Sequence, residues 1–351
     1  VRFRIDGILH EHAQPAASLQ QAITSRIKIM AKMDIAERRL PQDGRIRMKI
    51  AGKDIDLRVS CLPVMYGESI VMRILDRSQI SYKLENLGFP TFELQQFQNL
   101  LARSYGIILV TGPTGSGKTT TLYAALNSIN TPDKKIITIE DPVEYELAGI
   151  NQMEVNPKAG LTFAHGLRSI VRQDPDVILI GEIRDRETAD IAIQSALTGH
   201  LVFSTLHTND AAGAVTRLIE IGVEDYLLSS SLIGIMAQRL VRILCPVCKE
   251  AFTPTPELLK KVGLSVSAHD DQLFYKPKGC KSCSFSGYRG RTAIFELLPV
   301  SDTIRHLILG AKASTVIRDA ALAEGMTLLR SDGWRKVKNG VTSIEEVLRV
   351  T

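Results

Sequence analysis

Residues 112–119 read GPTGSGKT and constrain the fold of this chain more than any other segment. They match the pattern G-x-x-x-x-G-K-[ST], follow an apolar run at 106–111 and precede a helical pattern. A strand, a glycine-rich loop and a helix in this order direct backbone N–H groups and the positive end of the helix toward one anion. The alternative, a glycine-rich turn with a chance lysine, does not require that context. The chain is therefore predicted to bind a nucleoside triphosphate.

The residues of this loop have distinct predicted roles. Glycine lets the backbone turn inward around phosphate oxygens, Lys118 is expected to reach the β- and γ-phosphates, and Thr119 is expected to ligate Mg²⁺. Hydrolysis also needs an acid, a group that orients water and cations that offset developing charge. The predicted nucleotide-binding residues of the loop are Gly112, Pro113, Thr114, Gly115, Ser116, Gly117, Lys118, Thr119 and Thr120.

Two later segments carry acids at the ends of predicted strands. In DVILIGEIRD, residues 176–185, Gly181 occupies the tip where a phosphate-binding ATPase usually has aspartate, and Glu182 follows. Glu182 is predicted to orient or activate the attacking water. In ITIEDPVEY, residues 137–145, Glu140 and Glu144 lie at a strand's carboxyl end, where open α/β sheets bind ligands. A solvated loop is the alternative for this second segment.

Two histidines flank one predicted strand. His200 comes just before the apolar run 201–205, and His207 just after it. Either is expected to contact the γ-phosphate and register its loss, although a lone histidine is more often a structural residue.

Four of the five cysteines form two C-x₂-C pairs, CPVC at 245–248 and CKSC at 280–283. Four thiolates can close a tetrahedral Zn²⁺ site, so Cys245, Cys248, Cys280 and Cys283 are predicted zinc ligands. A thioredoxin-like redox pair is the rival interpretation. Cys61 is expected in a core. Paired cysteines of this kind make an oxidising compartment unlikely and favour the cytosol.

The pattern of the whole chain predicts an α/β protein of two or three domains. Residues 1–80 alternate apolar and polar side chains around one helical stretch, which predicts a half-buried antiparallel sheet. Residues 81–95 are interpreted as a linker. Short apolar runs at 106–111, 136–140, 177–180 and 201–205, separated by helical stretches, predict a mainly parallel sheet covered on both faces. Residues 243–292 are interpreted as an insertion that carries the cysteines, and 300–351 as helical.

Composition and charge argue against a nucleic-acid-binding protein and against a membrane-spanning one. The net charge of +5 is spread among acids, and aromatic residues make up 5% of the 351 residues, which argues against a stacking groove for nucleic acid. No apolar run approaches the roughly 20 residues of a membrane span. The sequence starts at Val1 in what reads as a strand, so we expect an upstream segment.

Taken together, GPTGSGKT, ITIEDPVEY, LIGEIRD, TGHLVFSTLHTNDA and the upstream RRLPQDGR resemble the secretion ATPases of type II secretion and type IV pilus assembly. In that family the Walker B strand ends in Gly-Glu. The resemblance implies a small PAS-like domain over 1–80, a RecA-like ATPase domain over 96–351 and a homo-hexamer with ATP at subunit interfaces. It also implies that Glu144 is a catalytic acid of an aspartate box, that His200 and His207 form a histidine box, and that the tetracysteine element marks an extension motor.

The same resemblance assigns three arginines of the first domain, Arg45, Arg58 and Arg73, to a neighbouring subunit's ATP. A surface salt bridge with Asp54 or Asp56 is the alternative for Arg58. The implied function is an ATPase that drives type IV pilus assembly through an inner-membrane platform protein, cytoplasmic and peripherally membrane-associated. Type II secretion is the alternative, and a RecA-like nucleic-acid translocase a more distant one. No nucleic-acid partner is expected, and the upstream segment is expected to contact a further apparatus protein.

Overall fold

The computed structural model describes residues 1–50, 52–76, 83–262 and 273–351. Residues 77–82, at the end of the predicted first domain and the start of the predicted linker, and 263–272, in the predicted insertion, lie outside the described residues. The chain divides into two compact units, Val1–Ser81 and Tyr82–Thr351. Each unit is described separately below.

The first unit is a small α+β unit. Its described elements are β1 (Arg2–Ile5), β2 (Ile8–Glu11), α1 (Gln20–Met30), β3 (Gln42–Ile50), β4 (Lys53–Val64) and β5 (Gly67–Asp76). Strands β3, β4 and β5 form an antiparallel sheet in that order, and β1 pairs only with β2 among the described strands. One sheet face packs on Ala31 and Met33, which follow α1, through Ile46 and Val59.

The expectation of half-buried strands is wrong for β1. Phe3 and Ile5 remain 40% and 51% exposed. Every residue of β1 and β2 except His10 is exposed, so alternation alone does not bury the hairpin.

The second unit contains a seven-stranded sheet in the order β14-β11-β6-β10-β9-β7-β8. All its neighbouring pairs are parallel except β11 and β14, which confirms the mainly parallel sheet. The strands of this unit are β6 (Gly106–Thr111), β7 (Ile136–Glu140), β8 (Asn151–Glu154), β9 (Val177–Ile180), β10 (Leu201–Leu206), β11 (Leu232–Leu244), β12 (Glu250–Phe252), β13 (Phe274–Lys276) and β14 (Tyr288–Pro299).

Helices cover both faces of this sheet. On one face α2 (Thr91–Leu101) and α3 (Lys118–Ile129) contribute Phe97, Leu122 and Tyr123, and on the other α4 (Phe163–Val171) and α6 (Ala211–Glu220) contribute Leu167 and Val215. Every residue of β6, β7, β9 and β10 is buried, as continuous apolar runs predict. The helices are α2 (Thr91–Leu101), α3 (Lys118–Ile129), α4 (Phe163–Val171), α5 (Arg186–Leu197), α6 (Ala211–Glu220), α7 (Asp225–Ser231), α8 (Pro256–Val262), α9 (Asp302–Leu309), α10 (Ser314–Ala323), α11 (Leu329–Lys338) and α12 (Ile344–Val350).

The cysteine-bearing segment lies between β11 and β14 and packs on the C-terminal helices. Its short strands β12 and β13 pair antiparallel. Phe274 of β13 shares a small core with Trp334 of α11 and Val347 of α12. The amide of Leu244, the last residue of β11, donates to the carbonyl of Val341 at 2.8 Å. Thus β11 runs from the central sheet directly to this module.

Candidate functional site

The phosphate loop connects β6 to α3 at the carboxyl edge of the sheet. Gly112, Gly115 and Gly117 have φ values of +150°, +79° and +90°, which favour glycine. Close packing adds a second requirement at two of them. A Cβ on Gly112 would lie 2.5 Å from the carbonyl oxygen of Gln238, and one on Gly117 would lie 2.7 Å from Gln238 Nε2. Both the backbone conformation and the neighbouring strand β11 therefore require these glycines.

Lys118 lies at the start of α3, and most of the other loop residues around it are exposed to solvent. Lys118 Nζ donates to the carbonyls of Gly112 at 2.7 Å and Pro113 at 3.2 Å, so the ammonium group lies over the loop. Burial lowers the pKa of Lys118 to about 8, against the opposing effect of Glu182. Pro113, Thr114, Gly115 and Thr119 are exposed, Thr120 is half-buried and Ser116 is buried.

Glu182 lies at the same edge of the sheet as the loop. It follows β9, and His207 follows β10, which lies between β9 and β6 in the sheet. The His207 Nε2 and Glu182 Oε2 atoms are 3.5 Å apart, and Arg184 Nη2 is 2.5 Å from Glu182 Oε1. Because parallel strands end at one edge, residues 118, 182 and 207 converge there.

Gly181, at the usual aspartate position, packs closely on the end of β7. Its amide continues the pairing with β7 by donating to the carbonyl of Ile139 at 2.8 Å. A Cβ at this position would lie 3.3 Å from both Glu140 Cα and the Ile139 oxygen. A side chain here would crowd the end of β7, whereas Glu182 points past it toward His207.

The structure does not bring His200 to this edge. Its carbonyl accepts from the amide of Gly106, at the amino end of β6, and its Nδ1 lies 2.7 Å from the carbonyl oxygen of Ser195. The six residues of β10 separate His200 from His207, a length of about 20 Å at roughly 3.3 Å per residue. The expectation that either histidine could contact the γ-phosphate is thus corrected for His200 within one subunit, because the two lie at opposite ends of a strand.

The two acids after β7 have different surroundings. Glu140 is 4% exposed and accepts from the Tyr123 hydroxyl, from Thr138 Oγ1 at 2.6 Å and from Gln152 Nε2 at 3.2 Å. This network holds the Glu140 carboxylate inside the second unit. Glu144 is half-buried, and its amide donates to the Tyr123 hydroxyl at 3.3 Å. The network positions the segment that carries Glu144.

Sequence analysis missed two buried polar residues beside the loop, Gln238 and Arg239 of β11. Gln238 Nε2 donates to the carbonyl of Ser116 at 2.8 Å, and its Oε1 accepts from Thr121 Oγ1 at 2.8 Å. Arg239 is 8% exposed and donates to the carbonyl of Asn209 at 2.8 Å. A signal was present, since two adjacent long polar residues interrupt a strand whose only other charged residue is Arg242.

In the first unit, Arg45, Arg58 and Arg73 occupy one row across the sheet. Arg45 is directly opposite Arg58, and Arg58 is directly opposite Arg73. All three therefore share the face opposite to the α1 side. On that face Arg47 lies 3.9 Å from Asp56, the alternative partner considered for Arg58, while the side chain of Asp54 is outside the described residues.

The four cysteines of the two pairs form one cluster. Their sulfur atoms all lie within 4.8 Å of one another, with Cys245–Cys280 at 3.9 Å and Cys248–Cys283 at 3.8 Å. A tetrahedral site with Zn–S bonds of about 2.3 Å needs sulfur separations of about 3.8 Å, so the set fits zinc. Burial opposes ionisation of Cys283, but amides of Cys280 and Gly287 lower its pKa to about 6. Burial raises the pKa of Cys248 to about 12.

Comparisons with known proteins agree with this architecture. A family model described as Type II/IV secretion system protein matches residues 1–349. The chain is 53% identical to type II secretion system protein E of Dickeya dadantii, over all of this chain and 70% of that protein. It is 52% identical to the type IV pilus assembly ATPase PilB of Thermus thermophilus, over all of this chain and 40% of that protein.

Solved structures show the same fold. The crystal structure of the pilus retraction motor PilT with bound ADP matches with a TM-score of 0.66 at 26% identity, over all of this chain and 90% of that chain. Among the described helices, none is both long and apolar enough to cross a bilayer. The architecture, the loop and the extent of the match lead to one conclusion: this chain belongs to the type II/IV secretion system protein family.

Proposed function

We propose that this chain hydrolyses ATP as the motor subunit of a machine that assembles pilin subunits into a type IV pilus at the inner membrane. The observation that carries the hydrolysis is the convergence of Lys118, Glu182 and His207 at one edge of the sheet. Lys118 offsets charge on the β- and γ-phosphates, and Thr119 would hold Mg²⁺, which neutralises the phosphate oxygens when bound. Glu182 orients the attacking water.

His207 and Arg184 position the Glu182 carboxylate. The imidazole is 3.5 Å from one carboxylate oxygen and the guanidinium 2.5 Å from the other, so both oxygens are restrained. Since phosphoryl transfer passes through a loose transition state, a carboxylate can align water without removing its proton fully. His207 is 51% exposed, which leaves it able to contact a nucleotide as well.

The test compares Glu182→Gln with the matched control Glu187→Gln, an exposed acid paired with Arg168. Glu182→Gln is expected to bind ATP but to lose at least about 10²-fold in turnover, the lower range for a group that handles the proton of the nucleophile. The control is expected to keep wild-type turnover. Phosphate release and binding of fluorescent ATP measure the two quantities. Wild-type turnover in Glu182→Gln would remove Glu182 from the mechanism.

Assembly into a ring rests on the arginine row. The register of β3, β4 and β5 aligns the three arginines that the family resemblance assigns to a neighbouring subunit's ATP. We propose a homo-hexamer in which the row of one subunit faces the nucleotide of the next. A PAS-like domain over 1–80, a linker over 81–95 and an ATPase domain over 96–351 with the zinc insertion at 243–292 complete this proposal.

Pilus assembly and type II secretion differ in the membrane apparatus that the motor would drive. Type II secretion, in which the same motor would assemble a pseudopilus, is the alternative to pilus assembly, and relatives of both kinds are about equally similar. Complementation of strains that lack either the pilus motor or the secretion motor, with surface pili and secreted enzyme as readouts, separates them. Strong stimulation of ATP turnover by single-stranded DNA would instead favour a translocase. Cytoplasmic location and docking on an inner-membrane platform protein belong to the same proposal.

A further inference from the structure

The phosphate loop is held from behind by strand β11. Gln238 is 2% exposed, and both ends of its amide are used: Nε2 donates to the Ser116 carbonyl at 2.8 Å and Oε1 accepts from Thr121 Oγ1 at 2.8 Å. Its backbone carbonyl and its side chain also occupy the space that a Cβ on Gly112 or Gly117 would need. The curvature of the loop is therefore matched to this one residue.

The next residue, Arg239, connects the loop to a different segment. Its Nη1 donates to the Gln238 carbonyl at 3.0 Å, and its Nη2 donates to the Asn209 carbonyl at 2.8 Å. A Cβ on Gly112 would lie 3.1 Å from the same Nη1, so the guanidinium touches the start of the loop. Asn209 belongs to the turn that follows β10 and carries His207.

We propose that Gln238 and Arg239 are positioning residues, in which Gln238 sets the phosphate-receiving shape of the loop and Arg239 couples the loop to the His207–Asn209 turn. The forked guanidinium reaches both segments at once: Nη2 bonds the Asn209 carbonyl, and Nη1, which bonds the Gln238 carbonyl, lies against Gly112. A shift of the loop on phosphate binding or release moves Arg239, and through Asn209 the turn. Since His207 is 3.5 Å from Glu182, that movement changes the orientation of the acid.

A second contact gives the turn a defined position. Thr111 Oγ1, at the end of β6, lies 2.7 Å from Thr208 Oγ1 and accepts from the Thr208 amide at 2.9 Å. Asp210 caps α6 by accepting from the Gly213 amide at 2.7 Å. The turn is therefore held at the end of β6 by Thr208, at Arg239 of β11 by Asn209 and at the start of α6 by Asp210.

The first test separates the two residues by kinetics in the full protein. Arg239→Lys keeps the charge but replaces the fork with a single donor atom, so it is expected to lower kcat about tenfold while the Kd for ADP stays within about twofold. Gln238→Leu leaves the Ser116 carbonyl and the Thr121 hydroxyl without their partner, so the Kd for ADP is expected to rise about tenfold. Gln238→Glu, which keeps the acceptor for Thr121, serves if the leucine variant does not fold.

The matched control is Arg242→Lys on the same strand, three residues further on. Arg242 bonds Glu346 at 2.7 Å and stacks on Tyr288, remote from the loop. This control is expected to keep both kcat and the ADP Kd near wild type. An equal fall of kcat in Arg239→Lys and Arg242→Lys would mean that any disturbance of β11 slows turnover, and unchanged kcat in Arg239→Lys would mean that the fork has no role. Either result overturns the coupling.

The kinetic readout rests on the proposed ATPase function, so a second readout is independent of hydrolysis. Amide hydrogen exchange is measured with and without ADP. In the wild type, ADP is expected to slow exchange in residues 112–119 and in 207–210. In Arg239→Lys, ADP should still protect the loop but not the turn. Equal protection of the turn in both proteins overturns the coupling even if ATP hydrolysis is normal, whereas absent hydrolysis with the expected protection pattern would reject only the proposed function.

Discussion

The two histidines that flank β10 provide a matched pair at the residue scale. They share a residue type and a strand, but only His207 lies within 3.5 Å of Glu182. His207→Ala is expected to lower ATP turnover at least about tenfold, because the acid loses one of its two restraints, which is less than the roughly 10²–10⁴-fold effect of a group that itself transfers a proton. His200→Ala is expected to stay within about twofold of wild type under the same steady-state assay.

The comparison of His207→Ala with His200→Ala requires that both variants fold. Both remove a side chain that bonds to its surroundings, so circular dichroism and thermal unfolding must first show that both proteins fold. If both variants lost ATP turnover equally, His200 would have a role in turnover, although within one subunit it lies at the opposite end of β10 from His207. A wild-type rate in His207→Ala would show that Arg184 alone restrains the acid.

Residue chemistry could be predicted from sequence where it is local and not where it depends on distant contacts. The loop 112–119 carries its own strand, turn and helix signals, so its role follows from a short window. Gln238 bonds Ser116 across 122 residues, and no window includes both. The two histidines show a related limit: a pattern shows that both flank a strand, but their contacts with Ser195 and Glu182 appear only in the fold.

At the scale of elements, apolar runs predicted strands well because parallel strands are buried on both faces. Strand β14 could not be assigned as the antiparallel edge, since its pairing with β11 depends on the fold of the whole cysteine-bearing segment between them. The arginine row is a second feature that could not be predicted from the sequence. The sequence shows Arg45, Arg58 and Arg73 separately, and only the register of β3, β4 and β5 aligns them.

A buried ion pair fastens α1 to the sheet of the first unit. Lys28 is 1% exposed and its Nζ is 2.7 Å from Glu68 Oε1. The hydrogen bond from Lys28 lowers the pKa of Glu68 below its ordinary value of 4.5. Glu68→Gln leaves a buried ammonium without its counter-charge, which typically costs about 3–5 kcal/mol. We expect faster amide hydrogen exchange in α1 of that variant at pH 7.

The pH dependence of this pair has a defined sign. A carboxylate whose pKa is lowered by folding stabilises the fold above its unfolded pKa, and this contribution is lost as the pH falls through the lowered value. The difference in exchange between wild type and Glu68→Gln should therefore be full at pH 7 and shrink as the pH falls below about 4.5. Glu11→Gln, which changes an exposed acid of the same unit, should show neither effect. A difference that does not shrink at all as the pH falls below about 4.5 would assign the loss to packing.

At the scale of the whole molecule, the cysteine-bearing segment connects β11 to the C-terminal helices. The fluorescence of a nearby tryptophan can report whether this segment is packed. The chain has one tryptophan, Trp334, which is 7% exposed in the core formed with Phe274 and Val347. Fresh reduced protein should contain about one zinc per chain. Cys283→Ser should lose the metal and shift Trp334 emission to longer wavelength as the module loosens, whereas Cys61→Ser should retain the metal. Metal analysis that finds no zinc in the wild type would contradict the site.

The arrangement of subunits can be tested by mixing two inactive variants. Lys118→Ala removes a phosphate contact within its own subunit, and Arg58→Ala removes a row residue that we propose acts on the neighbour. At equal mixing about a quarter of the interfaces of a cyclic ring would pair an intact Lys118 with an intact arginine row, so partial turnover should return. Arg47→Ala, on the same face but 3.9 Å from Asp56, should need no rescue. Because a row acting within its own subunit leaves every site of the mixture defective, the absence of rescue at all ratios would place the arginines outside a shared nucleotide site.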